Sequence, residues 1–355
     1  MENAVRVSAF KLLLAGLAAV NLSHPLLAAG LTLTPTGISD GFALTTFATI
    51  NPGATGNTGV YGVAVTSSGQ VIVNNYVNDT RYLFPDVDGQ TVGSAVSAIT
   101  PSTSQAGAFA RAGGQAYGPV NVQFVQFNAN GTVNHVLTGV TQTPYFGMWG
   151  NPVNGHILAT TGQSQLIDIN PAGNGGTGSA SVVATVSGLN WDGVTVSPDG
   201  TTVFVELNQH VIGYNIASGA QVYDSGPLTG QPDGIAMISS TNALNGKLIV
   251  NFNGATLNSG FVALLDPTNN SLTTIASGGS RGDYVSADPN GTVLLSYSDV
   301  VYRLSCGASC ALGQLVPGIP TTPAPSSLVL LLTGLGFAAG LYLLRNRIAR
   351  NPSRL

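Results

Sequence analysis

Residues Trp191 to Tyr223 read WDGVTVSPDGTTVFVELNQHVIGYNIASGAQVY, and the order of apolar and turn residues within them decides the fold. Val194 and Val196 alternate with small or polar neighbours, Ser197-Pro198-Asp199-Gly200 is a tight turn, and Thr201 to Val205 is a second β-branched run. Asn208-Gln209 breaks that run, His210 to Ile216 follows, and Ser218-Gly219 turns the chain into Gln221 to Tyr223. Period-two alternation gives each strand two faces, and Pro, Asp and Gly supply the turn geometry, so four short hairpin-connected strands are predicted. One such sheet cannot bury both of its faces alone. It needs neighbours of the same shape, which means a repeat protein.

The neighbours are found by aligning on the turn after the first strand. YGVAVTSSGQVIVNNY starts at Tyr61, GAFARAGGQAYGPVNVQFVQF at Gly107, YFGMWGNPVNGHILATT at Tyr145, DGIAMISSTNALNGKLIVNF at Asp233 and GDYVSADPNGTVLLSY at Gly282. With Trp191 these give six starts, at 61, 107, 145, 191, 233 and 282, of which the copy at Gly107 departs furthest from the pattern. Four-stranded propeller blades run about 40 to 50 residues, and the spacing suits them. The expected fold is all-β, a six-bladed β-propeller over residues 30–315. Phe42 to Ile50 is a lone strand ahead of the first copy. It is expected to pair with the sheet containing Val300 to Leu304, closing the ring so that no edge is left unpaired.

Composition agrees with strands and turns: charged residues make up only 7% of the 355, and Gly accounts for 46. Between Gly30 and Pro325 the cations are Arg81, Arg111, Lys247, Arg281 and Arg303, set against thirteen Asp and Glu206. A phosphate backbone needs a basic face, so nucleic acid is excluded as a partner.

The two ends carry a different message. Arg6 and Lys11 precede the apolar run Leu12 to Val20, and Ala28, Ala29 and Gly30 are small, the pattern of a secretory signal over residues 1–29. Residues 316–325 are a proline-rich linker. Ser326 to Leu344 is uncharged and, as a helix, spans roughly 28 Å, near the thickness of a bilayer core. Arg345, Arg347, Arg350 and Arg354 make residues 345–355 a basic tail that stays in the cytoplasm. The propeller is therefore expected outside the cytoplasmic membrane, anchored to it or released to the cell surface after processing.

Several short motifs carry little chemistry. Pro85-Asp86-Val87-Asp88-Gly89 lacks the further oxygen ligands and closing Glu of a calcium loop, and reads as an Asp-rich turn. Gly173 to Gly178 spells the dinucleotide fingerprint, but strand-like SVVATV follows where a helix is required. Gly278-Gly279-Ser280-Arg281-Gly282 spells the serine-hydrolase elbow without its strand-to-helix turn or His partner. His135, His156 and His210 fall in different copies with no metal-pair spacing. Cys306 and Cys310, the only cysteines, read as a disulfide in an exported chain.

WDGVTVSPDGTTVFVE resembles the strand-turn-strand of six-bladed propellers in the gluconolactonase and senescence-marker group, and of NHL-type and streptogramin-lyase propellers. Gln231 to Met237, QPDGIAM, resembles the proline-aspartate-glycine entry into an inner strand in the same group. The resemblance implies metal ligands at inner-strand entries and metal-dependent lactone hydrolysis, with a divalent metal such as calcium or zinc as cofactor. Asp233 matches such an entry, Asp192 stands where Asn is common, Tyr61 replaces the first-blade Glu, and Ile238-Ser239 stand where an acid often follows. Asp192, Asp233 and Asp283 share one offset in their copies, so they are expected at one mouth of the channel as candidate metal ligands. A structural role at the inner-strand turn stands beside that reading. The C-terminal end, with Pro323, Ala324, Pro325, Ser326, Arg345 and Arg347, resembles the PEP-CTERM sorting signal, in which Glu is usual at the position of Ala324. That resemblance implies an exosortase-like processing enzyme and the inner membrane as partners.

The expected function is an exported, non-catalytic binding or extracellular-matrix module, and no catalytic residue is assigned. Its loops would meet glycans or envelope proteins through polar and aromatic side chains such as Tyr61, Tyr145, Trp149 and Trp191, for which packing between blades is the alternative. A metal-dependent lactonase is the competing function.

Overall fold

Trp191–Val196, Thr202–Leu207, His210–Asn215 and Gln221–Asp224 pair in chain order as one antiparallel sheet in the computed structural model. Its first turn is fixed by Asp199, whose Oδ1 accepts from the Ser197 hydroxyl at 2.5 Å and from Thr201 N at 3.1 Å. Gly200 there has φ +72°, a conformation glycine adopts without strain.

Five further sheets repeat the pattern, with innermost strands Val60–Val65, Ala110–Ala112, Tyr145–Gly150, Gln231–Ser240 and Gly282–Asp288. Each innermost strand contacts the next, and that of the sixth blade contacts that of the first, so the sheets form a six-bladed β-propeller. The structure describes residues 30–52, 54, 59–100, 107–141, 145–186, 191–254, 258–307 and 310–313. The expected signal 1–29, linker 316–325, membrane run 326–344 and tail 345–355 lie outside them. Among the described residues no helix is long and apolar enough to cross a membrane.

Inner strands are walled by blades on both sides. Val60–Val65 is buried at every position, whereas the outermost strand Ser179–Thr185 has no buried residue. In the weak copy at Gly107 the inner strand is only Ala110–Ala112, and Gly107 ahead of it lies against the Pro119 ring so closely that a Cβ would come within 1.9 Å of it.

Four features tie the wheel together. Ala43–Thr49 pairs antiparallel with Val300–Ser305, from Ala43 opposite Ser305 to Thr49 opposite Val300, and so forms the fourth strand of the sixth blade. Gln90–Thr91, from the loop of the first blade, then pairs parallel with Ala48–Thr49. Beside this seam Arg303, 9% exposed, donates from Nε to Asp88 at 2.7 Å and from its two Nη atoms to Asp288 and Asp86. At the far end Cys310–Leu312 pairs with Ile238–Ser240 of the fifth blade, and the Cys306–Cys310 disulfide, Cα atoms 5.5 Å apart, holds it there.

Candidate functional site

The innermost strands share an irregularity that aims side chains at the axis. Register slips between Val60 and Gly62, Tyr145 and Met148, Trp191 and Val194, Pro232 and Gly234, and Gly282 and Tyr284. Each is a β-bulge, which leaves its extra residue out of the ladder and re-aims it. Tyr61, Asp192, Asp233 and Asp283 are such residues, and the bulge is the physical content of their common offset in the sequence.

A bulge also frees backbone groups, and in the third, fourth and sixth blades the second strand answers them. Gly147 N donates to Thr160 Oγ1 at 2.8 Å, Gly193 N to Glu206 Oε2 at 3.1 Å, and Ser296 Oγ donates to Tyr284 O at 3.3 Å. Thr160, Glu206, Asn251 and Ser296, all second-strand residues, are 0% exposed and form a buried polar ring behind the bulges. Glycine follows the bulged residue where the next blade presses close: a Cβ on Gly193 would sit 2.5 Å from Glu206 Oε2 and 2.8 Å from Asp233 O.

Four carboxyl groups therefore meet at the mouth where the inner strands begin, and one cation joins them. Arg281 Nε lies 2.5 Å from Asp283 Oδ1, and Arg281 Nη2 lies 3.6 Å from Asp233 Oδ2. Asn253 Nδ2 donates to Asp233 Oδ2, and the Asp192 and Asp233 carboxyls share a hydrogen bond, which requires a proton on one of them. Burial, and then the charge of Asp233, pushes Asp192 and Glu206 well above the ordinary carboxylate range. Burial also raises Asp233 itself, against the hydrogen bond from Asp192 and the charge of Arg281. Asp283 is pushed up to about 8 by burial and Asp233, with Arg281 pulling the other way. Arg281, despite partial burial, is held above its usual value by Asp283 and Asp233. The cluster thus sets four carboxyls, each raised by burial, around one guanidinium.

This arrangement does not fit a divalent cation. The carboxylates of the fifth and sixth blades already face a guanidinium, and Asp192 is engaged with Asp233. Among the described residues no three His, Cys, Asp or Glu side chains form a group that could hold a metal ion. The three aspartates are together as their offset implies, but as ligands of Arg281 and of each other. Sequence reading missed Arg281, Glu206 and Asn253, although Arg281 stands in the Gly278–Gly282 stretch two residues before Asp283.

Two tyrosines bar the channel beyond this mouth. Tyr61 reaches from the first blade to donate to Phe146 O at 3.0 Å, and Tyr284 reaches from the sixth to donate to Met148 O at 2.7 Å and to Phe109 O. Both are buried, at 6% and 1% exposure. A concavity lies on the other side of that bar, at the mouth where the inner strands end. It is a cup of about 310 Å³ between the second, third and sixth blades, walled by Arg111, Trp149, Asn151, Tyr284, Ser286 and Pro289 among others. The concave site and the carboxylate cluster are thus on opposite faces.

The aromatic side chains expected on a ligand face are otherwise placed. Tyr61, Tyr145, Trp149 and Trp191 are all buried, and they pack inside the wheel: Tyr145 lies edge-on to Phe124, and Trp191 lies against Tyr214. Of these only Trp149 borders the cup. Tyr145, Trp149 and Trp191 fill the wedge between blades, which takes large apolar side chains, while Tyr61 crosses the channel. The remaining motifs resolve as packing or turns. Asn174–Gly176 is one 3₁₀ turn before the strand Ser179–Thr185, and Ser280 Oγ donates to Asp299 at 3.1 Å. His156 and His210 each pair with an aspartate of their own blade, Asp168 at 2.9 Å and Asp224 at 2.8 Å. Asp86 and Asp88 belong to Arg303.

Solved structures repeat this architecture. A gluconolactonase from Xanthomonas campestris superposes with a TM-score of 0.56 at 12% identity, over 81% of this chain and 99% of that one. A second protein assigned to the gluconolactonases gives 0.56 at 11% identity, over 80% and 99%. A luciferin-regenerating enzyme gives 0.50 at 10% identity, over 78% and 99%. At such identities the likeness is one of fold, the six-bladed propeller of gluconolactonase type. No family model and no curated protein matches the sequence.

Proposed function

We propose that this chain is an exported β-propeller that serves as a non-catalytic binding or matrix module at the cell envelope, with its C-terminal end read by an exosortase-like processing enzyme. The observation that carries the non-catalytic reading is the Arg281 guanidinium between Asp233 and Asp283, which commits the mouth where a gluconolactonase-like site would assemble to an internal ion pair. The export reading rests on the signal-like residues 1–29 and the linker, apolar run and arginines after residue 315. Mass spectrometry of the mature protein tests it. The expected form begins near Gly30 and lacks Arg354; a product that keeps Arg354 replaces sorting with a plain anchor.

The gluconolactonase structures favour a second reading, hydrolysis of a lactone. An ionised carboxylate of the Asp192–Asp233 pair would then act as the base on water. A panel of lactones with the purified full chain, with and without calcium or zinc, decides between the two. The binding module predicts no turnover, and turnover abolished by Asp233→Ala would establish the enzyme.

A further inference from the structure

The cup on the far face is built differently from the carboxylate mouth, and its features point to one kind of ligand. Arg111 is the only cation among its lining residues in a domain of negative balance. Its Nη1 is tethered to the first blade, donating to Thr66 O at 2.7 Å and Val65 O at 3.3 Å. Its Nε is buried and has no hydrogen-bond partner. A buried donor without an acceptor is costly, and an oxyanion seated in the cup would supply that acceptor. Asp288, the carboxylate whose field reaches Arg111, is 1% exposed and tied to Arg303 and Asn290. It leaves the guanidinium to the cup. The volume of about 310 Å³ suits one small ligand, Val153 and Pro289 give apolar edges, and Asn154 and Ser286 add polar groups that could meet hydroxyls.

We propose that this cup binds a hydroxylated carboxylate of the uronic-acid class, with Arg111 reading the carboxylate and Asn154 on the rim meeting the hydroxyls. Arg suits this task because its planar fork matches a carboxylate through two donors at once. The proposal rests on the binding-module reading and gives that module its ligand chemistry.

Tryptophan fluorescence of the full chain in detergent is the test, since Trp149 and Trp191 are the only tryptophans. Galacturonate and glucuronate should give a saturable change, and galactose and glucose none. Arg111→Gln should weaken the uronates at least about tenfold. Arg111→Lys, which keeps the charge without the planar fork, should bind the uronates more weakly than wild type but more tightly than Arg111→Gln. Oligogalacturonate binding as tightly as the monomer per chain end would mean that a single terminal unit is read. No response to either uronate, equal binding of the neutral sugars, or unchanged affinity in both variants overturns the proposal. Lactone turnover together with Arg111-dependent uronate binding would overturn only the non-catalytic reading, so the two failures are separable.

Discussion

Arg281 Nε stands 2.5 Å from Asp283 Oδ1, and the two residues are separated in the chain only by Gly282. The same guanidinium reaches Asp233 in the neighbouring blade, so a short local turn supplies the charge that neutralises a cluster assembled from three blades. Removing one partner of such a pair leaves the others uncompensated. Arg281→Gln should therefore lower stability by about 1 to 3 kcal/mol, a modest figure because Arg281 keeps partial contact with water. The vacated mouth would then hold carboxylates alone. Thermal melts in millimolar calcium should raise the midpoint of the variant and leave that of the wild type flat; equal responses would refute the assignment of Arg281 as the resident cation.

The pH response follows from the same cluster. Asp192, Glu206 and Asp283 have folded pKa values above their unfolded ones, Asp283 at about 8. The folded state then binds more protons than the unfolded chain across the interval from about pH 4 to about pH 8, so stability falls as pH rises through it. The turn carboxylates Asp199 and Asp266 are lowered instead, held by hydrogen bonds from Ser197 and Thr268, and they cost stability only when pH drops through their own range. Melting temperature should be higher at pH 5.5 than at pH 8. Glu206→Gln keeps an oxygen for Gly193 N and mimics the protonated acid, so it should melt no lower than wild type at pH 8. A marked loss there would mean that Glu206 is ionised in the fold.

How much of this was legible in the chain differs by level. The wheel was readable because turn residues such as Asp199-Gly200 recur at blade spacing, and because bulges keep Asp192, Asp233 and Asp283 at one offset. The second-strand ring was not readable, since Thr160 and Ser296 look like ordinary polar strand residues until a bulge presents them with unpaired backbone groups. Glu206 carried a faint signal, as the only acidic residue in an otherwise apolar strand. Arg281 was masked by a false motif. The aromatic residues misled for a related reason: Tyr61 and Trp191 begin inner strands, where neighbouring blades enclose a side chain that a single sheet would expose.

Closure of the ring depends on Arg303, which bridges Asp288 in its own blade to Asp86 and Asp88 from the first-blade loop. Asp88 is 36% exposed and adds little, but Asp288 and the guanidinium are buried. Arg303→Ala should cost about 3 kcal/mol in urea unfolding. Asp288, already at about 6 through burial and Asp86, would hold its proton more firmly without Arg303. The deficit should shrink when unfolding is repeated at pH 5, and a deficit independent of pH would shift the role of Arg303 to packing against Phe47, whose ring centroid lies 5.1 Å away.

The disulfide closes a small loop, Cys306 to Cys310, and loop entropy assigns it about 2 kcal/mol. Its strand, Cys310–Leu312, is three residues long and pairs only at the end of the fifth-blade inner strand, where Leu312 N also donates to Gly291 O at 2.9 Å. So short an edge strand has little pairing of its own to hold it once the covalent tie is cut. Reduction should then release this strand locally before the wheel unfolds. Hydrogen exchange should show protection lost at Ser239, which stands opposite Ala311, and at Leu312 in the reduced protein, while Ile238 and Ser240, bonded to Lys247 O and Asn245 Oδ1, and the inner strands Trp191–Val196 and Gly282–Asp288 stay unchanged. Loss of protection throughout all six blades would instead make the disulfide a condition of ring closure.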